Sequence, residues 1–292
     1  MLEVKIQSND ANQRLDKFLL KSFPKLSKSM MYKAIRNKKI KVNRKRCTFD
    51  QTLLEGDSIL LFLPPDVLEQ KTVELLKEKV DLNIVYEDEN LLIVNKPYGL
   101  LSQSDSNQMQ DCLVTRVQKY LFDQGEFDPK KENSFAPTIC HRLDRNTTGL
   151  VIAAKNAETL RLMNEAIKER KVHKYYQARV EGTFEQKAFS IKKYIRKEGT
   201  KAIVSNMPKE GYQIAFMDVK VLAQKEKESI CEIELHTGRF HQIRALMSSI
   251  SHPLIGDTKY GYKGKAKKYS LNAYKLDLSE VDLKINQKIF EI

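Results

Sequence analysis

Several features of common protein classes are missing from this sequence. Its 292 residues contain four cysteines, at positions 47, 112, 140 and 231, and no CxxC pair. That scarcity argues against a zinc ribbon and against a disulfide framework. The longest clean apolar run, ILLFL at 59–63, is too short to cross a bilayer, and no apolar signal segment is present. We therefore expect a soluble cytoplasmic protein.

Motifs for cofactors and metals are also missing. No GxGxxG motif follows a candidate strand and no GxxxxGK[ST] loop occurs, so nothing supports a dinucleotide or nucleoside triphosphate cofactor. His236 and His241 are five residues apart, which is poor spacing for a helical metal pair. Cys140 and His141 are adjacent on an extended segment and point in opposite directions, which disfavours a thiol nucleophile. We predict no metal and no cofactor.

Acidic residues are absent from one long segment. Residues 17–46 contain twelve Lys and Arg and no Asp or Glu. Residues 1–65 carry a net charge of +8, whereas the whole chain carries +13. A basic excess that is concentrated in this way indicates a polyanionic partner. The alternative is a lysine-rich surface that contacts only solvent.

The basic segment has the pattern of two short helices followed by the start of a strand. Pro24 ends the first helix, and Ser27 can cap the second, in which apolar residues recur at helical spacing: Met30, Met31, Ala34 and Ile35. Prolines 64 and 65 and the charged run after them are typical of a linker, which could itself be helical. We therefore predict three parts: a basic module over 1–65, a linker over 66–80 and a larger domain over 81–292.

The larger domain contains more candidate strands than helices. Two apolar segments flank an acidic turn at 87–90, where a hairpin is favoured over metal binding by Asp88 and Glu89. Regular alternation of strand and helix does not occur. The predicted fold class is α+β, with a largely antiparallel mixed sheet.

Asp144 lies between Arg142 and Arg145, just before a turn and a buried apolar run. An opposite charge within a few ångströms lowers a carboxylate pKa, so we expect Asp144 to stay anionic even when partly buried. An anionic Asp can act as a nucleophile or a base. A purely structural ion pair is an equally good interpretation of this stretch taken alone.

Two further stretches contain candidate functional residues. In KYYQARV, alternation directs Tyr176 inward with small and apolar neighbours, where it could belong to the core or stack on a base. In IELHTGRFHQIR, Ile233 and Leu235 point inward and a helix is predicted to begin near Phe240. Arg239 and Arg244 near that helix N-terminus favour an anion site.

Taken together, these stretches resemble the RluA family of pseudouridine synthases. HRLDRNTTG at 141–149 matches the family signature HRLD-x-x-[ST]-[ST]-G, and KYYQA at 174–178 matches K-x-Y-x-A. TGRFHQIR at 237–244 and HPLIGDTKYG at 252–261 match a third element. VYEDENLLIVNKPYGL at 85–100 matches the opening of the family's catalytic domain. The resemblance implies isomerisation of uridine to pseudouridine in RNA by a pseudouridine synthase fold.

The basic module has a resemblance of its own. Residues 14–63, with RLDKFL, SKSMMYKAI, KVN and GDSI, are similar to a small RNA-binding module of a small-subunit ribosomal protein. This module accompanies the subgroup that acts on large-subunit ribosomal RNA, which is the substrate that we expect. Transfer RNA is the alternative substrate, and a catalytically idle RNA-binding or ribosome-assembly factor is the alternative class.

The resemblance also implies individual roles. Asp144 would attack the ribose or abstract a proton on the way to glycosidic bond cleavage. Tyr176 would stack against the target base and help to remove its C5 proton, and Arg244 would pair with Asp144. Arg142 would enter the space left by the flipped uridine. The residues predicted to bind substrate are Arg142, Ile233, Leu235, Arg239 and His241, and those predicted to form the RNA-binding surface of the basic module are Lys28, Lys33, Arg36, Lys38 and Arg44.

Two positions depart from the family pattern. Leu246 stands where the family usually has histidine in HQIR-x-H, and Asn272 interrupts its LHA motif. We expect both to border loops that face RNA. The oligomeric state predicted from the sequence is a monomer.

Overall fold

The computed structural model describes residues 1–70, 73–105 and 110–292. Residues 71 and 72 of the predicted linker lie outside this description. The helices are α1 Leu15–Ser22, α2 Lys28–Arg36, α3 Leu113–Asp123, α4 Ala157–Lys168 and α5 Gln242–Ser248. The strands are β1 Leu2–Lys5, β2 Ile40–Val42, β3 Lys45–Arg46, β4 Ser58–Leu61, β5 Ile84–Glu87, β6 Leu91–Lys96, β7 Thr138–Ile139, β8 Thr148–Ala154, β9 His173–Glu181, β10 Ala188–Glu198, β11 Lys201–Ser205, β12 Gln213–Lys225, β13 Glu228–Leu235, β14 Leu271–Asp277 and β15 Ile289–Glu291.

The basic module packs α1 and α2 against a four-stranded sheet in the order β1-β4-β2-β3. Ser27 caps α2 as predicted, because its side chain accepts a hydrogen bond from the Met30 backbone N–H. Of the four apolar residues at helical spacing in α2, Met31 and Ala34 fill the core and Ile35 packs against it, whereas Met30 is exposed. Strand β1 was not predicted, since LEVK alone is too short to give a clear pattern.

The larger domain is built on a sheet of 11 strands among the described residues. Its main path runs β11-β10-β12-β13-β9-β14-β8-β6-β5, with β15 beside β14 and β7 beside β8. All described pairings of this sheet are antiparallel except that of β14 with β8. The predicted α+β class with a largely antiparallel sheet is confirmed.

Burial differs between the two halves of this sheet, and the sequence pattern follows it. In β6 and β8, successive residues alternate between two separate cores, one on each face, so Leu91–Val94 and Leu150–Ala154 are uninterrupted apolar runs. In β9 and β13, one face is buried and the other is partly exposed, so apolar and polar residues alternate. Tyr176, Ile233 and Leu235 point inward as predicted.

The basic module contacts the larger domain through polar side chains. The Asp10 carboxylate is fully buried and accepts hydrogen bonds from the Ser134 backbone N–H at 3.1 Å and hydroxyl at 2.7 Å. It also accepts one from Asn133 Nδ2 at 2.7 Å. The Asn9 side chain accepts a hydrogen bond from the Ala157 backbone N–H, in the first turn of α4. These contacts fix the module to α4 and to the loop before β7.

The segment between the two parts is mostly irregular. Pro65–Leu68 forms one short 3₁₀ helix, and the described residues from 73 to 83 contain no helix, so the suggested helical linker is wrong there. The domain boundaries at 65 and 81 stay a prediction. No helix within the described parts of the chain is both long and apolar enough to cross a membrane.

Candidate active site

Asp144 lies in the loop between β7 and β8, and neighbouring segments hold this loop in place. Ser102 Oγ donates a hydrogen bond to the Leu143 carbonyl at 2.6 Å and accepts one from the Leu143 N–H. At the start of β8, a Cβ on Gly149 would lie 2.3 Å from the Ala273 carbonyl oxygen. The glycine of the TTG turn therefore permits β14 to approach closely, which brings β14 beside the Asp144 loop.

The Asp144 carboxylate faces the start of α5. Its Oδ2 lies 3.8 Å from His241 Nε2 and 4.0 Å from Arg244 Nη1. Arg244 donates two shorter hydrogen bonds, of 2.7 and 2.9 Å, to Asp257. Its guanidinium carbon also lies 4.9 Å from the ring centre of Tyr260 and 4.4 Å from that of Tyr269. Arg244 is thus held by Asp257 and two aromatic rings, with one nitrogen directed toward Asp144.

Burial dominates the ionisation of Asp144. It raises the pKa of this carboxyl, while the positive charges of Arg244, Arg142 and Lys96 oppose the rise and the negative charge of Asp257 adds to it. The prediction that flanking arginines would hold the pKa low is therefore wrong in direction. Arg145 is not among these main charges, and its guanidinium donates to the Gly99 carbonyl.

Lys96 is a buried cation that the sequence reasoning missed. Its ammonium donates hydrogen bonds to the carbonyls of Pro97, Leu100 and Arg145, at 2.8 to 3.1 Å. Burial lowers the pKa of Lys96 to about 8, and the charge of Asp144 opposes that shift. The side chain therefore remains mostly protonated at neutral pH and ties the Asp144 loop to the turn after β6.

Asp144 opens into a cleft of about 760 Å³. Tyr176 and Leu235 line its wall, and Tyr176 is only 5% exposed. Burial and the charge of Asp144 raise the pKa of Tyr176, so its phenol stays protonated. Ile233 is fully buried and does not line the cleft, so Leu235 is the one of the two predicted apolar residues that can touch a ligand there.

Basic side chains surround the mouth of the cleft. Two of them, Arg142 and Arg239, were predicted from the sequence, and both are exposed. Four others come from the end of α4, from β9 and from β10, and they were not predicted as site residues, although Lys174 opens the KYYQA motif: Lys168, Arg170, Lys174 and Lys197. Such a rim suits a polyanionic ligand whose reacting part enters the cleft.

Three other sequence predictions can be placed in the structure. Lys28, Lys33, Arg36, Lys38 and Arg44 are all exposed on the basic module. Burial raises the pKa of Cys140 to about 12, so its thiol is not a nucleophile at neutral pH. Helix α5 begins at Gln242, two residues later than predicted, and Phe240 stacks on His241 at the cleft.

The two departures from the family pattern lie in different surroundings. Leu246 is fully buried in the main core of the larger domain, so the expectation that it borders an RNA-facing loop is wrong. Asn272 lies on β14, where its side-chain oxygen accepts a hydrogen bond from Thr148 Oγ1 at 3.0 Å. It thus joins β14 to the start of β8, close to the turn that follows Asp144.

Comparison with known families decides the identity of the fold and the chemistry. The family described as RNA pseudouridylate synthase matches residues 90–249, which include Asp144, Tyr176 and Arg244. This chain belongs to that family. The S4 domain family matches residues 13–59, within the basic module. The protein is therefore an RNA pseudouridine synthase with an N-terminal RNA-binding S4 domain, and the resemblance to RluA-type enzymes is confirmed.

Individual relatives agree with this assignment. A Mycoplasma capricolum protein named uncharacterized RNA pseudouridine synthase is 34% identical over 94% of this chain and 91% of its own length. Ribosomal large subunit pseudouridine synthase C of Buchnera aphidicola is 31% identical over 88% of this chain and 80% of its own length. The structure of human RNA pseudouridylate synthase domain containing 4 shares the fold, with a TM-score of 0.58, 21% identity and coverage of 72% of this chain and 87% of that one.

Proposed function

We propose that this pseudouridine synthase modifies uridines of large-subunit ribosomal RNA and that Asp144 acts on the target nucleoside. One observation carries the assignment of the site. Asp144 is the carboxylate that opens into a cleft of about 760 Å³, beside Arg244, His241 and Tyr176, and basic side chains surround that cleft. A polyanion with one extruded nucleoside has the complementary shape and charge.

The reaction exchanges one bond of the uridine for another. The bond between N1 of the base and C1′ of the ribose breaks, the base turns, and C5 bonds to C1′. C5 loses a proton and N1 gains one, so no atom is lost and no redox partner is needed. Asp144 acts at the ribose, either as a nucleophile at C1′ or as a base at C2′. A primary kinetic isotope effect with deuterium at C2′ would select the second route.

Tyr176 supplies an aromatic surface for the extruded base. Extrusion from a stacked stem costs a few kcal/mol, and stacking on an aromatic side chain offsets roughly 1–3 kcal/mol of it. Because the pKa of Tyr176 is raised, its phenolate is too scarce at neutral pH to accept the C5 proton. We therefore assign Tyr176 to stacking and not to proton transfer.

Arg244 and Arg142 act through charge. Both oppose the effect of burial on the Asp144 pKa, so both increase the fraction of carboxylate that can react at neutral pH. Arg142 is exposed at the cleft, and we assign it to the space that the flipped uridine leaves. Arg239, His241 and Leu235 complete the proposed substrate contacts.

Two features support a ribosomal target. The S4 family match lies on a basic surface that can hold RNA phosphates, and a relative of 31% identity is named for the large ribosomal subunit. Transfer RNA remains the competing substrate. The cytoplasmic location and the monomeric state remain predictions.

Tritium release from RNA labelled at uridine C5 tests the proposal. Large-subunit ribosomal RNA transcripts and transfer RNA transcripts are compared with wild type, Asp144→Asn and Arg145→Gln, the last being the matched control beside the catalytic position. We expect release from ribosomal RNA with wild type and Arg145→Gln and none with Asp144→Asn. Release only from transfer RNA would refute the substrate, and release by Asp144→Asn would refute the role of Asp144.

A further inference from the structure

His241 has an unusual backbone and a restrained side chain. Its φ of 53° and ψ of 26° lie in the left-handed region, which non-glycine residues seldom occupy outside functional or turn positions. The imidazole is 10% exposed and stacks on Phe240, with ring centres 3.8 Å apart and planes inclined by 20°. This backbone turn places His241 immediately before α5, with the ring between Tyr260 and Asp144.

Tyr260 determines which nitrogen of His241 carries the proton. The buried Tyr260 hydroxyl oxygen accepts a hydrogen bond of 2.7 Å from the Ala202 backbone N–H. The same oxygen lies 2.9 Å from His241 Nδ1. Since a hydroxyl has one proton and buried protons need acceptors, the Tyr260 O–H donates to Nδ1. The His241 proton is therefore on Nε2, the nitrogen that faces Asp144.

The surroundings of His241 keep the ring neutral. Burial, together with the positive charges of Arg244, Lys259 and Lys197, lowers the pKa of His241 to about 3. The Asp144 carboxylate faces this ring, with its Oδ2 3.8 Å from Nε2. That separation is about 1 Å longer than a hydrogen bond, and catalytic hydrogen bonds often shorten when the substrate binds.

We propose that Tyr260 and His241 are positioning residues that present a neutral Nε2–H to the Asp144 carboxylate in the complex with RNA. This inference rests on the proposed role of Asp144. The donor orients the carboxylate without adding another cation beside Arg244, Arg142 and Lys96. A further full charge would stabilise the anion more strongly and make it less reactive as a nucleophile or base.

Nitrogen NMR of the histidine rings in the full-length protein tests the tautomer without any turnover. Long-range proton–nitrogen correlations are recorded from pH 5 to 8, and the His241 signals are identified by their loss in His241→Gln. We expect the Nε2–H pattern with no protonation across this range. An Nδ1–H pattern, or protonation of His241 between pH 5 and 8, overturns the proposal even if Asp144 proves essential.

Variants test the effect on catalysis, with single-turnover rates measured at saturating enzyme. Tyr260→Phe should lose the fixed tautomer and slow the reaction by about tenfold, with unchanged RNA affinity. Tyr120→Phe, which removes a partly buried hydroxyl that bonds Glu87 away from the cleft, is the matched control and should not slow it. An unchanged tautomer and rate in Tyr260→Phe would overturn the proposal.

A pair of substitutions at His241 itself covers the case in which Tyr260→Phe does not fold. The amide nitrogen of His241→Gln can reach the place of Nε2, whereas His241→Phe keeps the stacking on Phe240 and has no donor. We expect His241→Gln to react at least about tenfold faster than His241→Phe. Equal rates for the two variants would mean that the ring serves only packing and would overturn the proposal.

Discussion

Asp257 holds Arg244 by two parallel hydrogen bonds, of 2.7 Å to Nε and 2.9 Å to Nη2. The two side chains are 1% and 7% exposed, so water does not compete for them. A guanidinium is planar, and fixing two of its nitrogens fixes the direction of the third. Arg244 Nη1 is consequently directed at Asp144, and the orientation of this cation depends on a residue that does not touch the cleft.

Asp257→Asn should therefore impair catalysis without removing any group from the cleft. The amide accepts only one of the two hydrogen bonds, so we expect the single-turnover rate to fall by about 10- to 100-fold. Unfolding should become easier by about 3 kcal/mol, because one buried charge loses its partner. Asp111→Asn, at a carboxylate that accepts two hydrogen bonds from Arg116 Nε and Nη2 outside the cleft, is the control for both measurements. A rate equal to wild type would contradict the positioning role.

The acid limb of the rate against pH should respond to Arg142 and not to Arg145. The proposed role of Asp144 requires its ionised form, so we expect the rate to fall as pH drops through its raised pKa. Around this carboxyl, Arg244, Arg142 and Lys96 lower the pKa, and Asp257 raises it. Removing one of the lowering charges by Arg142→Gln should shift the acid limb to higher pH.

Arg145→Gln is the matched control for that shift, because the Arg145 guanidinium donates to the Gly99 carbonyl. Its acid limb should coincide with that of wild type. Single-turnover rates between pH 5 and 8 at saturating enzyme separate the effect from any loss of RNA affinity. Equal shifts of the acid limb in Arg142→Gln and Arg145→Gln would mean that the net charge of the protein, and not the position of Arg142, sets the pKa of Asp144.

Asp144→Asn should stabilise the free enzyme at high pH. The pKa of this carboxyl is higher in the folded than in the unfolded chain, so ionisation costs more after folding. This loss of folding stability is absent at pH values below the pKa of Asp144 in the unfolded chain. It grows as pH rises toward and through the pKa of Asp144 in the folded chain. We expect Tm to rise by roughly 2 °C or more at pH 8 and by less at pH 5. A lower Tm for the variant at pH 8 would be inconsistent with this account.

The S4 surface should supply much of the salt dependence of RNA binding. Each phosphate contact by a basic side chain contributes roughly 0.7 to 0.9 to the slope of log affinity against log salt. Replacing five exposed residues by Gln should reduce that slope by up to about 4: Lys28, Lys33, Arg36, Lys38 and Arg44. Five exposed lysines that do not line the cleft provide a control of equal charge: Lys187, Lys220, Lys225, Lys227 and Lys284. Equal slopes for the two variants would remove the role of this surface.

The alternation of apolar and polar residues and the spacing of the motifs predicted much of this fold. The predictions that were wrong have physical causes. Tyr176 and Leu235 were oriented correctly because strand periodicity fixes which face a residue occupies. The α5 start was misplaced because His241 adopts a left-handed backbone that no local pattern signals.

In the candidate active site, the residue types were easier to predict than their pKa values and their burial. The motifs predicted that Arg244 would lie beside Asp144, as it does, but the predicted direction of the Asp144 pKa shift was wrong. That direction depends on how much solvent the surrounding fold removes, and sequence neighbours such as Arg145 do not reveal it. Lys96 was missed for a related reason: its contacts with three carbonyls and its proximity to Asp144 exist only in the folded chain.

The buried Asp10 carboxylate has a consequence for the architecture of the substrate. This carboxylate accepts three charge-assisted hydrogen bonds from Asn133 and Ser134 of the larger domain, and these bonds hold the S4 domain against that domain. The distance between the RNA-binding surface of the S4 domain and the cleft is then fixed. An RNA helix would have to offer its phosphates and its target uridine at one separation, and lengthening that helix by a few base pairs would take the uridine out of reach.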